Sequence, residues 1–254
     1  MAKNRGGRQR DWWNIGMVAV AVAALLFAGY AGVTALTRDD ETSVASTYVV
    51  PPPAAYDYLR ASILGDSYTA GVGAGASPSY AEITERRLCL TPVESGGSGS
   101  GYVAPGSGNA PFGSPDRIDK IVENQPGLII VQGSTNDPGD GRVFDAAVAL
   151  YRTLAERAPT AKIVVVGPTM PPSADPTRVD AIRAELQRAA AESGLPFIDP
   201  ASEQWLDPAN DYVADRLHPT PVGHNKIASR LVDALKALDI PGLATSCDPV
   251  PATP

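Results

Sequence analysis

Cysteine, histidine and positive charge are all scarce in this 254-residue chain. There are two cysteines, Cys89 and Cys247, and neither belongs to a CxxC pair. A zinc ribbon or an iron–sulfur site is therefore not expected. The two histidines, His218 and His224, adjoin no thiol or carboxylate cluster and make a poor metal site. No cofactor is expected, and any imidazole chemistry falls to one of those two residues. Against 28 Asp and Glu stand 21 Lys and Arg, a net charge of −7. No basic patch of the kind nucleic acid requires is visible, so nucleic-acid partners are set aside. No internal repeat is visible, which argues against a solenoid or propeller.

The one long apolar stretch without charge is Trp12 to Leu36, and it follows a basic segment, 1–11, containing Lys3, Arg5, Arg8 and Arg10. At 1.5 Å per helical residue, roughly 20 apolar residues span a bilayer. Trp12 and Trp13 stand where an interfacial aromatic belt would, and a basic amino end stays in the cytoplasm. The expectation is a transmembrane anchor over 12–36, with the rest of the chain extracytoplasmic. The alternative is a cleaved signal peptide with a site at Val33–Ala35, which would leave the protein secreted. Residues 37–57 carry three consecutive prolines and read as a linker. A folded domain is expected over 58–240, followed by a Pro-containing tail, 241–254. Outside the cytoplasm two cysteines favour a disulfide, here Cys89 to Cys247.

From Tyr58 onward, short apolar runs alternate with helical patterns. Strands are expected at 61–64, 90–93, 127–133, 162–167 and 196–199, and helices at 79–88, 115–125, 143–157, 176–192 and 221–238. The helix at 143–157 places Phe144, Ala147, Tyr151 and Leu154 on one stripe, and the last places Ile227, Leu231, Leu235 and Leu238 likewise. Continuous apolar strands alternating with helices mean an α/β fold: a five-stranded parallel sheet covered on both faces, a three-layer α/β/α sandwich.

Ligands of open parallel sheets bind beyond the carboxyl ends of the strands. Four chemically loaded segments fall there: "GDS" with Ser67, "ESGGSGSGY" over 94–102, "GSTND" with Asn136 and Asp137, and "DRLHP" with Asp215 and His218. Their chemistry fits acyl transfer. A serine hydroxyl needs a base, which His218 can supply. The imidazole needs a carboxylate that fixes its tautomer, and Asp215 lies three residues earlier. The oxyanion needs donors: the Ser67 amide at the start of a helix, a glycine amide of the second segment, and the Asn136 side chain.

These four blocks, in this order, resemble those of the SGNH hydrolases, also called GDSL-type lipases and esterases. The resemblance covers Tyr58 to about Leu238. It implies a flavodoxin-like hydrolase fold and a serine esterase with Ser67 as nucleophile, a triad completed by Asp215 and His218, and Gly and Asn136 in the oxyanion hole. The second block is glycine-rich, so Gly97, Gly99 and Gly101 compete; Gly99, preceding "SGY", is the choice. Ser134 stands where a second glycine is common. The implied substrate is a small-molecule ester or an ester of envelope glycan or lipid, with transfer to another alcohol as the alternative reaction.

Blander readings stand beside these. Ser67 in isolation is a helix cap. Asn136 lies in a run of turn formers. Asp66 and Asp137 read as carboxylates that hold loops, and His224 as a surface or packing residue. "GVGAGA", 71–76, formally fits a dinucleotide-binding loop, with Glu94 as the ribose acid, but six residues separate it from the strand. A binding module without catalysis would use the same cleft.

Overall fold

Five parallel strands form one sheet in the order β2-β1-β3-β4-β5. They are β1 (Arg60–Gly65), β2 (Thr91–Gly96), β3 (Leu128–Gln132), β4 (Lys162–Val166) and β5 (Phe197–Ile198). The computed structural model describes residues 58–244 and Cys247. The expected basic segment, membrane span and linker, and most of the tail, lie outside the described residues. Among the described residues no helix is long and apolar enough to cross a membrane.

The helices are α1 (Tyr80–Leu88), α2 (Pro115–Glu123), α3 (Arg142–Arg157), α4 (Pro176–Glu192) and α5 (Pro221–Lys236). The apolar run of β3 explains their arrangement. Side chains alternate across a strand. Leu128 and Ile130 enter one core with Ile63, Tyr80, Leu88, Ile227 and Leu231, so α1 and α5 cover that face. Ile129 and Val131 enter a second core with Leu64, Ile121, Leu150, Leu154 and Ile182, so α2, α3 and α4 cover the other. All four of these β3 side chains are fully buried. The expected three layers are therefore present, and the connections are the helical crossovers that parallel strands require.

Helix starts follow local chemistry. Ser79 and Glu82 form a reciprocal capping box at α1. Asp175 and Thr220 cap α4 and α5, each followed by a proline in the first turn. Strand β2 runs past the expected 90–93 to Gly96, and the reason is tertiary. It is an edge strand, half exposed, so its apolar signal is weak; pairing with β1 up to Gly65↔Gly96 sets its length. At Gly96 a Cβ would lie 2.4 Å from the Ala70 amide nitrogen, so only glycine lets the chain after β1 cross there.

The expected disulfide is present: Cys89, at the end of α1, is bonded to Cys247, 158 residues away. Nearby, Glu85 of α1 is buried beside Glu94 of β2, and its Oε1 has no hydrogen-bond partner among the described residues. Burial first, and then the Glu94 and Glu82 carboxylates, push the Glu85 carboxyl from 4.5 up to about 8, with Arg86 acting the other way. Burial likewise raises Glu94. Folding therefore holds a proton that the unfolded chain releases. The resulting stability is complete below pH 4.5 and is lost as pH rises through about 8. Glu85→Gln carries no charge to bury. The variant is expected to melt higher than the wild type, and by more at pH 8 than at pH 5, in thermal unfolding followed by circular dichroism.

Candidate active site

The carboxyl ends of β1, β2 and β3 lie in register, with Leu64 paired to both Ser95 and Val131. Polar side chains that cannot enter the two cores gather there. Ser67 follows β1 and is 6% exposed. His218 Nε2 lies 3.0 Å from Ser67 Oγ, and His218 Nδ1 lies 2.7 Å from Asp215 Oδ2. Asp215 Oδ1 accepts from the amides of Leu217 (2.8 Å) and His218 (3.0 Å). Desolvation would raise the Asp215 carboxyl, but the His218 ring and these two amides outweigh it and hold the group at about 2. Asp215 is thus a carboxylate at neutral pH, an acceptor for Nδ1–H. That selects the tautomer in which Nε2 presents a lone pair to the serine.

The chain after Ser67 departs from expectation. It forms turns rather than a helix: Ala70 N donates to Asp66 O, Gly71 N to Tyr68 O and Val72 N to Ser67 O, three different spacings. Gly71 and Gly73 at φ +77° and +94° prevent a regular helix. The serine is therefore not a helix cap, and the glycines of 71–76 do not open a helix as a dinucleotide-binding loop would. Asp66 binds its own loop, accepting from Tyr68 N at 2.9 Å. Burial pushes its carboxyl up to about 6 against that hydrogen bond.

Among the competing glycines, the amide of Gly97 donates to Gly65 O (3.1 Å) and that of Gly101 to Ala104 O (2.9 Å). The Gly99 amide makes no hydrogen bond among the described residues, and Gly99 has φ +73°. Asn136 Nδ2 donates to Ser100 O at 3.0 Å, which ties it to the residue after Gly99 and leaves its second proton available. Ser134 acts in place of a glycine as a strut: its hydroxyl donates to Ser100 O (2.9 Å) and accepts from Asn136 N (2.9 Å). Asp137 is fully buried and accepts from three amides, those of Tyr102, Val103 and Ala104, at 2.8–3.0 Å. It holds the loop after Gly99, as its loop setting suggested.

Two contributors, Tyr68 and Arg117, were not singled out in the sequence, and of the two readings of His224 the packing one holds. Tyr68 Oη donates to Leu217 O at 2.6 Å, fixing the segment between Asp215 and His218 to the residue beside Ser67. Arg117, on α2, reaches both strand ends. His224 is not a surface residue: it is fully buried, stacked on Tyr80. Its Nδ1 accepts from Tyr80 N (3.2 Å), so its Nε2 carries the proton and donates to Val72 O (3.1 Å). The ring thereby joins α1 to the turn that begins at Ser67. The only hint was its place in the first turn of α5, since a buried histidine has no sequence signature of its own. A cavity of about 980 Å³, lined by Met170, Trp205, Tyr212 and Lys226 among others, stands beside these residues rather than over them. Its wall residue Thr169 donates to Tyr68 Oη at 3.2 Å. Ser67, Asp215 and His218 are not among its lining residues.

A serine hydrogen-bonded to an imidazole that is itself bonded to a carboxylate, at the carboxyl end of a parallel sheet, is an arrangement suited to acyl transfer. Residues 63–226 match the GDSL-like Lipase/Acylhydrolase family, and the chain belongs to it. It is a hydrolase of the esterase type. It is similar to a GDSL lipase of Mycobacterium tuberculosis, 29% identical over 183 residues, which covers 67% of this chain and 78% of that one. A lipase/acylhydrolase from Enterococcus faecalis has the same fold at 20% identity and TM-score 0.54, covering 70% of this chain and 96% of that one. So does a family two carbohydrate esterase from Clostridium thermocellum, solved with cellohexaose, at 22% identity and TM-score 0.57, covering 72% of this chain and 66% of that one.

The geometry of His224 has a consequence for acid stability. Burial first, and then the charge of His218, lower its pKa from 6.5, while Val72 and Glu82 act in the opposite sense. Below pH 6.5 the unfolded chain binds a proton that the folded ring refuses, so stability falls with falling pH. His224→Phe keeps the ring and leaves Tyr80 N and Val72 O without partners, at a cost of about 1–3 kcal/mol. Urea unfolding is expected to show that deficit at pH 7.5 and a smaller one at pH 5, where the wild type has lost its advantage.

Proposed function

We propose that the protein is a serine esterase working outside the cytoplasmic membrane. In this reading Ser67 is the nucleophile, His218 the general base and acid, and Asp215 the carboxylate that orients it. The amides of Ser67 and Gly99 and the side chain of Asn136 receive the oxyanion. The observation that carries the reading is the unbroken hydrogen-bonded chain from Asp215 through His218 to Ser67. As His218 Nε2 takes its proton, Ser67 Oγ bonds to the ester carbonyl carbon, and the carbonyl oxygen becomes anionic. Collapse of this intermediate expels the alcohol, which receives the proton from His218. Water then gives a proton to His218, attacks the acyl-serine and releases the acid, returning the proton to Ser67.

The location rests on the basic segment 1–11 followed by the uncharged 12–36, which anchors the chain to the membrane or directs its export. It brings envelope glycan and lipid esters, as well as small soluble esters, within reach. Similarity to a lipase and to a carbohydrate esterase supports an ester substrate of this range. Adding an alcohol acceptor to the assay separates hydrolysis from transfer, since only transfer converts it to a new ester.

A fluorophosphonate is expected to label Ser67, as judged by peptide mass spectrometry, and Ser67→Ala and His218→Ala each to remove most ester turnover. Asn136→Ala is expected to lower kcat by about 10²–10³-fold with little change in KM, because its amide is needed once charge develops. Labelling elsewhere, or an active and folded Ser67→Ala protein, would leave a binding module or a different site. Protease added to intact spheroplasts should cut near 37–57 and release an active soluble domain, if the chain is anchored as proposed. Protection until the membrane is broken would place the domain inside.

A further inference from the structure

Arg117 is a buried cation, 8% exposed, and among the described residues it forms no ion pair. All its acceptors are neutral. Nε donates to Ser95 Oγ (3.1 Å), Nη1 to Ser100 Oγ (2.8 Å) and Ala110 O (3.3 Å), and Nη2 to Gly65 O (2.7 Å) and Ser95 O. The guanidinium also lies 5.0 Å from the Phe112 ring centre. Burial lowers it to about 10, with Asp66 acting in the other direction, so it stays protonated at neutral pH. Burying a charge with no carboxylate in ion-pair contact is a costly way to hold a fold together, and apolar packing would serve as well.

What its acceptors have in common is the site. Gly65 lies two residues before Ser67, Ser95 is the last residue but one of β2, and Ser100 follows Gly99. The Ser100 hydroxyl that receives Arg117 passes its own proton to Gly97 O at 2.6 Å. The Ser100 carbonyl receives Asn136 Nδ2 at 3.0 Å. The segments bearing Ser67 N, Gly99 N and Asn136 Nδ2 are thus all hydrogen-bonded, directly or through one serine, to a single planar fork. The β1–β2 ladder stops at Gly65↔Gly96, so strand pairing cannot set the spacing beyond that point.

We propose that Arg117 is the positioning residue of the oxyanion hole: its guanidinium fixes Gly65, Ser95 and Ser100, and through them the donors on Ser67, Gly99 and Asn136. The proposal rests on the reading of Ser67 as nucleophile. A lysine keeps the charge but cannot reproduce a five-donor fork. Arg117→Lys is therefore expected to lower kcat by about 10–100-fold with KM within about twofold, since misplaced donors are missed mainly in the transition state. An aryl boronic acid, which forms a tetrahedral adduct on the serine, is expected to bind more weakly by a similar factor. Arg117→Lys added to Asn136→Ala should cost little more than Asn136→Ala alone, because the two act on one device.

Ser100→Ala removes the hydroxyl that joins Arg117 Nη1 to Gly97 O and leaves the cation in place, so it tests the idea even if Arg117→Lys does not fold. It is expected to show a smaller loss of the same kind, in kcat and boronate affinity and not in KM. Unchanged kcat in a folded Arg117→Lys or Ser100→Ala protein would overturn the proposal. So would a loss that vanishes once activity is divided by the folded fraction from circular dichroism. A wild type that hydrolyses esters beside an unimpaired Arg117→Lys would sink this proposal alone, whereas a wild type with neither turnover nor Ser67 labelling would sink the reading of the site as well.

Discussion

The structure depends on burying both faces of the central strand, β3, and of the strands beside it. Leu128 and Ile130 of β3 pack under α1 and α5, while Ile129 and Val131 pack under α2, α3 and α4. At roughly 25 cal/mol per Å² of apolar surface, this two-sided burial is the main favourable term in folding. It also dictates where chemistry can occur. No residue within those strands can present a polar side chain to a substrate, so functional groups are confined to the segments leaving the carboxyl ends. Ser67, Gly99 and Asn136 are three such segments, and Asp215 and His218 arrive on the chain entering α5.

Around that rim the protein buries several ionisable side chains. Asp66, Asp137, Arg117 and His224 are all nearly or fully inaccessible, yet none touches Ser67 Oγ or stands in the Asp215–His218–Ser67 chain. Each satisfies loop backbone: Asp137 holds three amides, Asp66 the Tyr68 amide, Arg117 three carbonyls, and His224 an amide and a carbonyl. Loops without a ladder must find partners for their N–H and C=O groups somewhere. Here a second layer of ionisable side chains supplies them and ties together the segments that carry the candidate residues. It also makes stability respond to pH in opposing directions. His224 favours the fold toward neutrality, whereas Asp66 and Glu85, with pKa values raised to about 6 and about 8, favour it toward acid.

Much of this was legible in the order of the residues. Alternation of apolar runs with amphipathic stretches announces the parallel sheet, because each element's period is a local property of the chain. The edges of the pattern were less clear. Strand β2 looked short because an edge strand buries little, and its partner β1 sets its true length. The segment after Ser67 looked like the start of a helix, yet Gly71 and Gly73 turn it, and the crossing over Gly96 accounts for its path. Gly97, Gly99 and Gly101 could not be ranked by chemistry alone; their amides differ only in which carbonyls the folded loop brings near.

By itself the sequence determined the architecture and the family, and it named a serine, a histidine, an aspartate and an asparagine as the candidate reacting groups from type and spacing. Only the tertiary structure decided which groups support them. Arg117 belongs to α2, His224 to α5 and Tyr68 to the turn after β1; each acts on a segment far away in the chain. A hydrogen bond across such a separation depends on where two elements dock, and docking is settled by the packing of both cores at once, not by any local stretch of residues.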